Sequence, residues 1–503
     1  MFEAMKWWAA MPLCLLASSC FDGRDAHGLP CERDFQCGNG QVCRDEICVW
    51  PSDAAPGTTT SGGSASVSAT DSSSSTSTGS SSSSSSGSSS STGSSGDTTG
   101  MPPDGDAQGK YCGEGIPAIV QPRFSTTSLG VVPNPMSVVV GDFVGQGANT
   151  IAVVARTTKA AVPGVSLYRY SSGDYAELDP GIELDGDPMD AAAGDLDGDG
   201  HDDLVVVFDE STATGVRVFW GSEDTLVDND ASVGDVGPDT AFSVTAGDLN
   251  PGGRLEVVVA VGDQRREAMM FSVGADRSLG VPSTIAGMSA SPWDAVTIDL
   301  DGEGPDEVLI AASNDGAYDF PGSDQVHAFG APTGSIGLFT GVGSLPSFRT
   351  PYGVDAADLD GDGRVDIVVV GKNIPPMPPM EEKSDLPSFL YVCLQQENTD
   401  FDCQTHEMES GLSGFNNVRL ADLDCDGELD ALIGTSGDLD PNDGEVRIAW
   451  GPLTNTPVVS PVDAPGPIAN RMAVGDVDDD GRPEVVVPIY GGDARVYDVV
   501  EEE

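Results

Sequence analysis

One aspartate-centred unit recurs seven times beyond residue 107, and no other feature of the chain limits its fold so tightly. Aligned on that Asp, the units read VVVGDFVGQGANTIAVV at Asp142, AAAGDLDGDGHDDLVVV at Asp195, VTAGDLNPGGRLEVVVA at Asp248, VTIDLDGEGPDEVLIA at Asp299, AADLDGDGRVDIVVV at Asp358, RLADLDCDGELDALIG at Asp422 and AVGDVDDDGRPEVVVP at Asp476, at intervals of 51 to 64 residues. Each holds an apolar strand, a Gly-rich loop, a β-branched strand and usually a third strand ending in an aromatic and Gly, as in VRVFWG and VRIAWG. Helical periodicity is absent. Units of this size, with about four short strands, are the blades of a ring in which each sheet buries its faces against its neighbours. The expected fold is therefore all-β, a seven-bladed β-propeller of four-stranded blades over residues 107–503. The seventh unit runs out after VVVPIY and ARVYDVV, whereas a spare strand, Phe124 to Leu129, precedes the first loop. That N-terminal strand is predicted to complete the last blade and leave no open edge at the seam.

The loops carry the chemistry. In the second unit Asp195, Asp197 and Asp199 occupy positions 1, 3 and 5, His201 position 7 and Asp203 position 9, with Gly198 and Gly200 between them. Alternate side chains of a tight loop can converge on one point, and glycine permits the backbone angles required. Calcium takes six to eight hard oxygens, which three carboxylates, the carbonyl of residue 7 (not the His201 ring), a bidentate residue 9 and water would supply. The same positions are filled by Asp358, Asp360, Asp362, Arg364 and Asp366, by Asp422, Asp424, Asp426, Glu428 and Asp430, and by Asp476, Asp478, Asp480, Arg482 and Glu484. Four calcium sites are expected there, and a fifth, less complete loop has Asp299, Asp301, Glu303 and Glu307. The first and third loops, with Asp142 alone and with Asn250 and Gly252 at positions 3 and 5, are expected to stay empty. An EF-hand would need Glu at position 12 between helices, where Val206 stands in a strand. A solvated acidic turn is the plain alternative, opposed by about 1 kcal/mol of repulsion per carboxylate pair at close range even in water.

The D-x-D-G-D-G-x-x-D loop ahead of a Val-rich strand, with V-x-W-G or Phe329-Gly330 elements after it, resembles the FG-GAP or VCBS-type repeat of integrin alpha-subunit propellers and of bacterial surface proteins. The resemblance implies calcium loops on one face of the ring and a partner-binding rim on the other. Six residues before each aligned Asp stand Met136, Met189, Phe242, Trp293, Tyr352, Asn416 and Asn470, a set that would ring the mouth of the central channel. Phe242, Trp293 and Tyr352 are the candidate ligand contacts, the alternative being that they plug the channel. Two insertions would join that face: residues 313–325, with Tyr318 and Phe320, and residues 371–389.

Residues 1–20 read as a signal peptide whose apolar run, Trp7 to Ala17, is too short to span a bilayer. Its LLASSC ending resembles a bacterial lipobox, which implies lipidation of Cys20 and a cell-envelope location, with simple secretion as the alternative. Residues 21–50 hold four cysteines between Cys31 and Cys48 that suit disulfides better than zinc. Residues 51–106 form a Ser/Thr/Gly-rich disordered linker, spanning roughly 40 Å on average. Of the remaining cysteines, Cys393 and Cys403 flank a hairpin, and Cys112 with Cys425 are left to pair by elimination. A net charge of -58 excludes nucleic acid as a partner. Four scattered histidines give acid–base catalysis little material. The expected function is that of a calcium-binding, non-catalytic envelope protein, a monomeric propeller presented to a protein or glycan. A lectin and a polysaccharide-acting enzyme are the alternatives.

Overall fold

The computed structural model describes residues 42–44, 47–49 and 112–501, less residues 114, 131–133, 146–148, 157–162, 210–213, 251–253, 263–264, 303, 314–324, 331–339, 342–347, 349, 373–387, 398–399, 409–413, 436–443 and 469–470. The signal peptide, Cys20, the linker, Glu303, Tyr318, Phe320, Asn470 and most of the 371–389 insertion lie outside the described residues. The chain divides into two compact units, Met1–Gly93 and Ser94–Glu503. In the first, Val42–Arg44 pairs antiparallel with Ile47–Val49 and sets Cys43 opposite Cys48.

The second unit is seven four-stranded antiparallel sheets, and no helix occurs among the described residues. Six sheets are simple meanders in sequence order, as in the blade Asp187–Gly194, Asp203–Asp209, Thr214–Trp220, Val227–Gly237. The seventh consists of Ala473–Gly475, Glu484–Pro488 and Ala494–Glu501, completed by Pro122–Ser128, whose residues pair from Pro122↔Glu501 to Ser128↔Arg495. The predicted clasp is thus present, two residues earlier than the apolar pattern marks it.

Why the strands read as continuous Val runs follows from the packing. Each sheet is covered on both faces, so alternate side chains serve opposite neighbours. Leu204 and Val206 enter the core shared with the first blade, and Val205 and Val207 the core shared with the third. Seven such cores exist, one per seam between blades. Each fully buried Val contributes on the order of 2 kcal/mol of transfer free energy.

At the axis the first strands of neighbouring blades are joined by hydrogen bonds of one recurring design. A polar side chain five residues before the aligned Asp accepts from the backbone N–H of the next blade. Ser137 Oγ takes Ala191 N (3.2 Å), Asp190 Oδ2 takes Val244 N (3.1 Å), Ser243 Oγ takes Ala295 N (3.2 Å), Asp294 Oδ2 takes Val354 N (3.1 Å) and Asn417 Oδ1 takes Met472 N (3.4 Å). Gly353 has no side chain to offer, and Asp355 Oδ2 substitutes by accepting Leu420 N at 2.7 Å. The ring closes where Val138 N donates to the carbonyl of Arg471 at 3.3 Å. The Arg471 side chain, 1% exposed, crosses the axis to Asp190 (3.2 Å) and Asp294 (3.8 Å) and donates to Val244 O (2.9 Å).

Candidate metal loops and axial site

Among the described residues, the loops between the first and second strands bring carboxylates together in five blades. Oxygens within 4.8 Å of one another come from Asp195, Asp197 and Asp199, from Asp299, Asp301 and Glu307, from Asp358, Asp360 and Asp366, from Asp422, Asp424 and Asp430, and from Asp476, Asp478 and Glu484. These are the four complete loops of the sequence together with the less complete fifth. The local cause is a recurring net of backbone donors. In the second blade Asp195 Oδ1 accepts Gly198 N (2.8 Å) and Asp199 N (3.0 Å), Asp195 Oδ2 accepts Gly200 N (2.9 Å), and Asp199 Oδ1 accepts His201 N (3.0 Å). Gly198 and Gly200 have φ of 80° and 91°, which an L side chain resists. Cys425 and Asp479 take the Gly198 position in their blades at φ of 60° and 63°, so Asp426 and Asp480 still reach the same turn.

Position 9 has a second task. In six blades one oxygen of that acid accepts the N–H of position 2, at 2.7 to 3.0 Å, from Leu196 N→Asp203 to Val477 N→Glu484. The other oxygen of Asp203 accepts Gly221 N at 2.8 Å, and that of Asp430 accepts Gly451 N at 2.7 Å. This gives the W-G element its physical reason: a Cβ at Gly221 would lie 2.3 Å from Asp202 O. Asp203 is not part of the converging trio of its loop, and Asp362, Asp426 and Asp480 are not part of theirs. Among the position 7 residues, His201, Arg364, Glu428 and Arg482 each donate their backbone N–H to the position 5 carboxylate. Burial, reinforced by neighbouring carboxylates, pushes Asp203 and Asp430 up to about 8, Glu484 to about 9, Glu307 to about 7 and Asp366 to about 6. Buried, clustered, hard oxygens at raised pKa fit a hard divalent cation, whose charge would replace the missing solvation.

Asp142 and Asp248 belong to no such group among the described residues. Each is held by the following blade. Asp142 N donates to Asp202 Oδ2 (2.8 Å) and Asp202 N to Asp142 O (3.1 Å); Asp248 N donates to Asp306 Oδ2 (2.8 Å) and Asp306 N to Asp248 O (2.7 Å). Both acids sit at position 8, which is Asn149, Leu255, Val365, Leu429 or Pro483 in the other aligned loops. A protein carboxylate thus follows each ligand-poor loop. The position 8 pattern was visible in the sequence, but its meaning depends on which blades touch.

Residues 112–119 lie across the loops of the sixth and seventh blades. Cys112 is bonded to Cys425, with Cα atoms 5.6 Å apart, and Cys393 to Cys403 directly across a hairpin, at 3.9 Å. Gly113 N donates to Gly481 O (2.8 Å), Ile119 N to Asp424 O (2.7 Å) and Arg482 Nη2 to Pro117 O (2.8 Å).

At the opposite ends of the axial strands a cavity of about 170 Å³ is lined by Met189, Phe242, Trp293, Tyr352, Lys372 and the amides of Asn416 and Asn417, with Asp190 and Asp294 also on its wall. The structure thus gathers the three predicted aromatics: Phe242 and Trp293 have ring centroids 4.3 Å apart, and Trp293 and Tyr352 4.8 Å. Met136 is buried and does not line the cavity. Lys372, which the pattern of positions did not single out, places its ammonium 4.1 Å from the Tyr352 centroid.

Fold and loops together define a seven-bladed β-propeller with acidic loops able to hold metal ions. Residues 195–259 match the family described as the FG-GAP-like repeat. The solved Dos1 propeller aligns with a TM-score of 0.41 and 12% identity, over 75% of this chain and 94% of that one. No curated protein matches the sequence.

Proposed function

We propose that the chain is a calcium-stabilised recognition propeller of the bacterial cell envelope, anchored through lipid at Cys20 and binding a protein or glycan at its axial cavity. The observation that carries this reading is the cavity itself: stacked aromatic faces beside amide side chains offer apolar contact with a few oriented hydrogen bonds, the usual makeup of a binding site. Its two carboxylates support a non-catalytic role, because Asp190 and Asp294 are engaged by Arg471 and by the N–H groups of Val244 and Val354. Calcium at the five carboxylate groups would stabilise the ring by mass action.

The test is capture of envelope proteins and glycans by the full chain, compared with Trp293→Ala and Tyr352→Ala and with Val281→Ala, which alters a residue 94% exposed elsewhere. Loss of a saturable ligand in the first two variants alone supports the reading. Equal capture by all three refutes the cavity as the site, and turnover of a polysaccharide by the wild-type chain refutes the non-catalytic role. A mature N-terminus at Cys20 without added lipid mass refutes the anchor.

A further inference from the structure

The second loop, like the fifth, matches the D-x-D-G-D-G-x-x-D pattern at every position, yet it alone among the five carboxylate groups has two of its trio's members ion-paired to an arginine of another blade, among the described residues. Arg277 comes from the turn between Glu267–Phe271 and Ser283–Gly287 of the third blade. Its Nε lies 2.5 Å from Asp197 Oδ2 and its Nη2 2.7 Å from Asp199 Oδ2, so positions 3 and 5 are both engaged.

The arginine is held there by a prepared seat. Its guanidinium lies 5.4 Å from the ring centre of Trp220, which is fully buried. Trp220 Nε1 donates to Ser232 Oγ at 2.6 Å, and Ser232 Oγ donates onward to the Arg277 carbonyl at 3.0 Å. Leu279 N donates to Ala231 O at 3.2 Å, pinning the turn to the outer strand of the second blade. Arg277 has φ of 61°, a conformation fixed by Arg277 N→Gly274 O and Gly274 N→Ser278 O. The side chain therefore points at the loop because its backbone is clamped on both sides.

We propose that Arg277 is an internal competitor for the metal site of the second blade, weakening it relative to the other three complete loops so that it responds to calcium after they are filled. The inference rests on the calcium reading of the loops. A guanidinium that leaves the carboxylates gives up two ion pairs. One that stays seated on Trp220 faces the incoming ion, and a divalent charge about 6 Å from a unit charge is disfavoured roughly tenfold even at the dielectric of water. Either route weakens the site, by several-fold to about tenfold once the screening of these half-exposed pairs is counted. In no other loop does an arginine bridge two members of the converging trio, among the described residues: Arg482 donates to Pro117 O, and Arg364 pairs with Asp362 alone, which lies outside its trio.

The experiment is a calcium titration of the metal-stripped full chain by calorimetry, with terbium luminescence sensitised by tryptophan as a second readout and Trp220→Phe identifying the signal of the second blade. Arg277→Gln is expected to tighten the second-blade site, read from its terbium signal, by several-fold to about tenfold without adding a site, and Arg277→Lys to have a smaller effect because ammonium cannot fork to two carboxylates. Arg217→Gln removes an equal charge from the same blade, where Arg217 pairs with Asp228 at 2.6 Å, and is expected to leave the titration unchanged. A titration of Arg277→Gln that overlays the wild type, or a weaker second-blade terbium signal, overturns the proposal. Absence of calcium binding in every protein overturns the calcium reading together with it.

Discussion

Replacing Arg471 with Met would test whether the ring is held at its axis by charge. The guanidinium is 1% exposed and reaches three blades beyond its own: Asp190 of the second at 3.2 Å, Val244 O and Ser243 Oγ of the third at 2.9 and 3.3 Å, and Asp294 of the fourth at 3.8 Å. Methionine fills most of the volume but leaves Asp190 buried with Ser137 and the backbone N–H groups of Val244 and Ala191. Removing one member of a buried ion pair costs about 3–5 kcal/mol. Asp294 is partly compensated by Arg419 at 3.5 Å, so the penalty falls mainly on Asp190. Burial already raises the pKa of Asp190 while Arg471 opposes the rise, so the variant shifts it further up. A native carboxyl with a raised pKa contributes stability at low pH that is lost as pH climbs through its folded value. The penalty of Arg471→Met should therefore be largest in neutral buffer and shrink on acidification, and Asp190→Asn in the same background should restore part of it. Urea unfolding followed by tryptophan fluorescence at two pH values measures all of this. A penalty below about 1 kcal/mol, or one independent of pH, would refute the reasoning.

Three further outcomes are expected. The Cys112–Cys425 bond closes 313 residues and Cys393–Cys403 closes 10, for which chain entropy gives about 5–6 and about 3 kcal/mol, so the alanine pair at 112 and 425 should lower the unfolding midpoint more than the pair at 393 and 403. Equal losses would mean that the hydrogen bonds of residues 113–119, not the crosslink, hold that segment. Without metal, burial and neighbouring carboxylates hold Glu484 up to about 9 and Asp430 up to about 8, above their unfolded values; chelated protein should lose stability as pH rises towards these values, while calcium-loaded protein keeps it. Scanning calorimetry should show the gap between the two widening from acid to alkaline buffer, and a constant gap would count against metal in these loops. Asp202→Ala should cost about 1–3 kcal/mol through the lost bond to Asp142 N, with calcium stoichiometry unchanged in a titration. A lost calcium site would show that Asp202 serves the metal rather than the empty loop.

Much of this architecture is local and therefore periodic. The seven units, the acid spacing, the short strands and the spare strand at Pro122–Ser128 are each properties of a few dozen consecutive residues, and the pairing of Cys393 with Cys403 follows from one hairpin. The aromatics at Phe242, Trp293 and Tyr352 stand at one distance before their aligned Asp because the first strands Ala241–Gly247, Ser291–Ile298 and Pro351–Ala357 lead into their loops in the same register.

The sequence by itself determined the blade, its number and the acidic turns, because hydrophobic alternation and the Asp–Gly spacing act within one unit. Only the closed ring decided that Arg471 meets Asp190 across 281 residues, that Arg277 enters a loop 78 residues away, and that Asp202 and Asp306 serve the loops of the preceding blades. Those contacts depend on which side chains of different blades are brought to the axis and the seams. That is set by the closure and packing of all seven sheets at once, and no single repeat contains it.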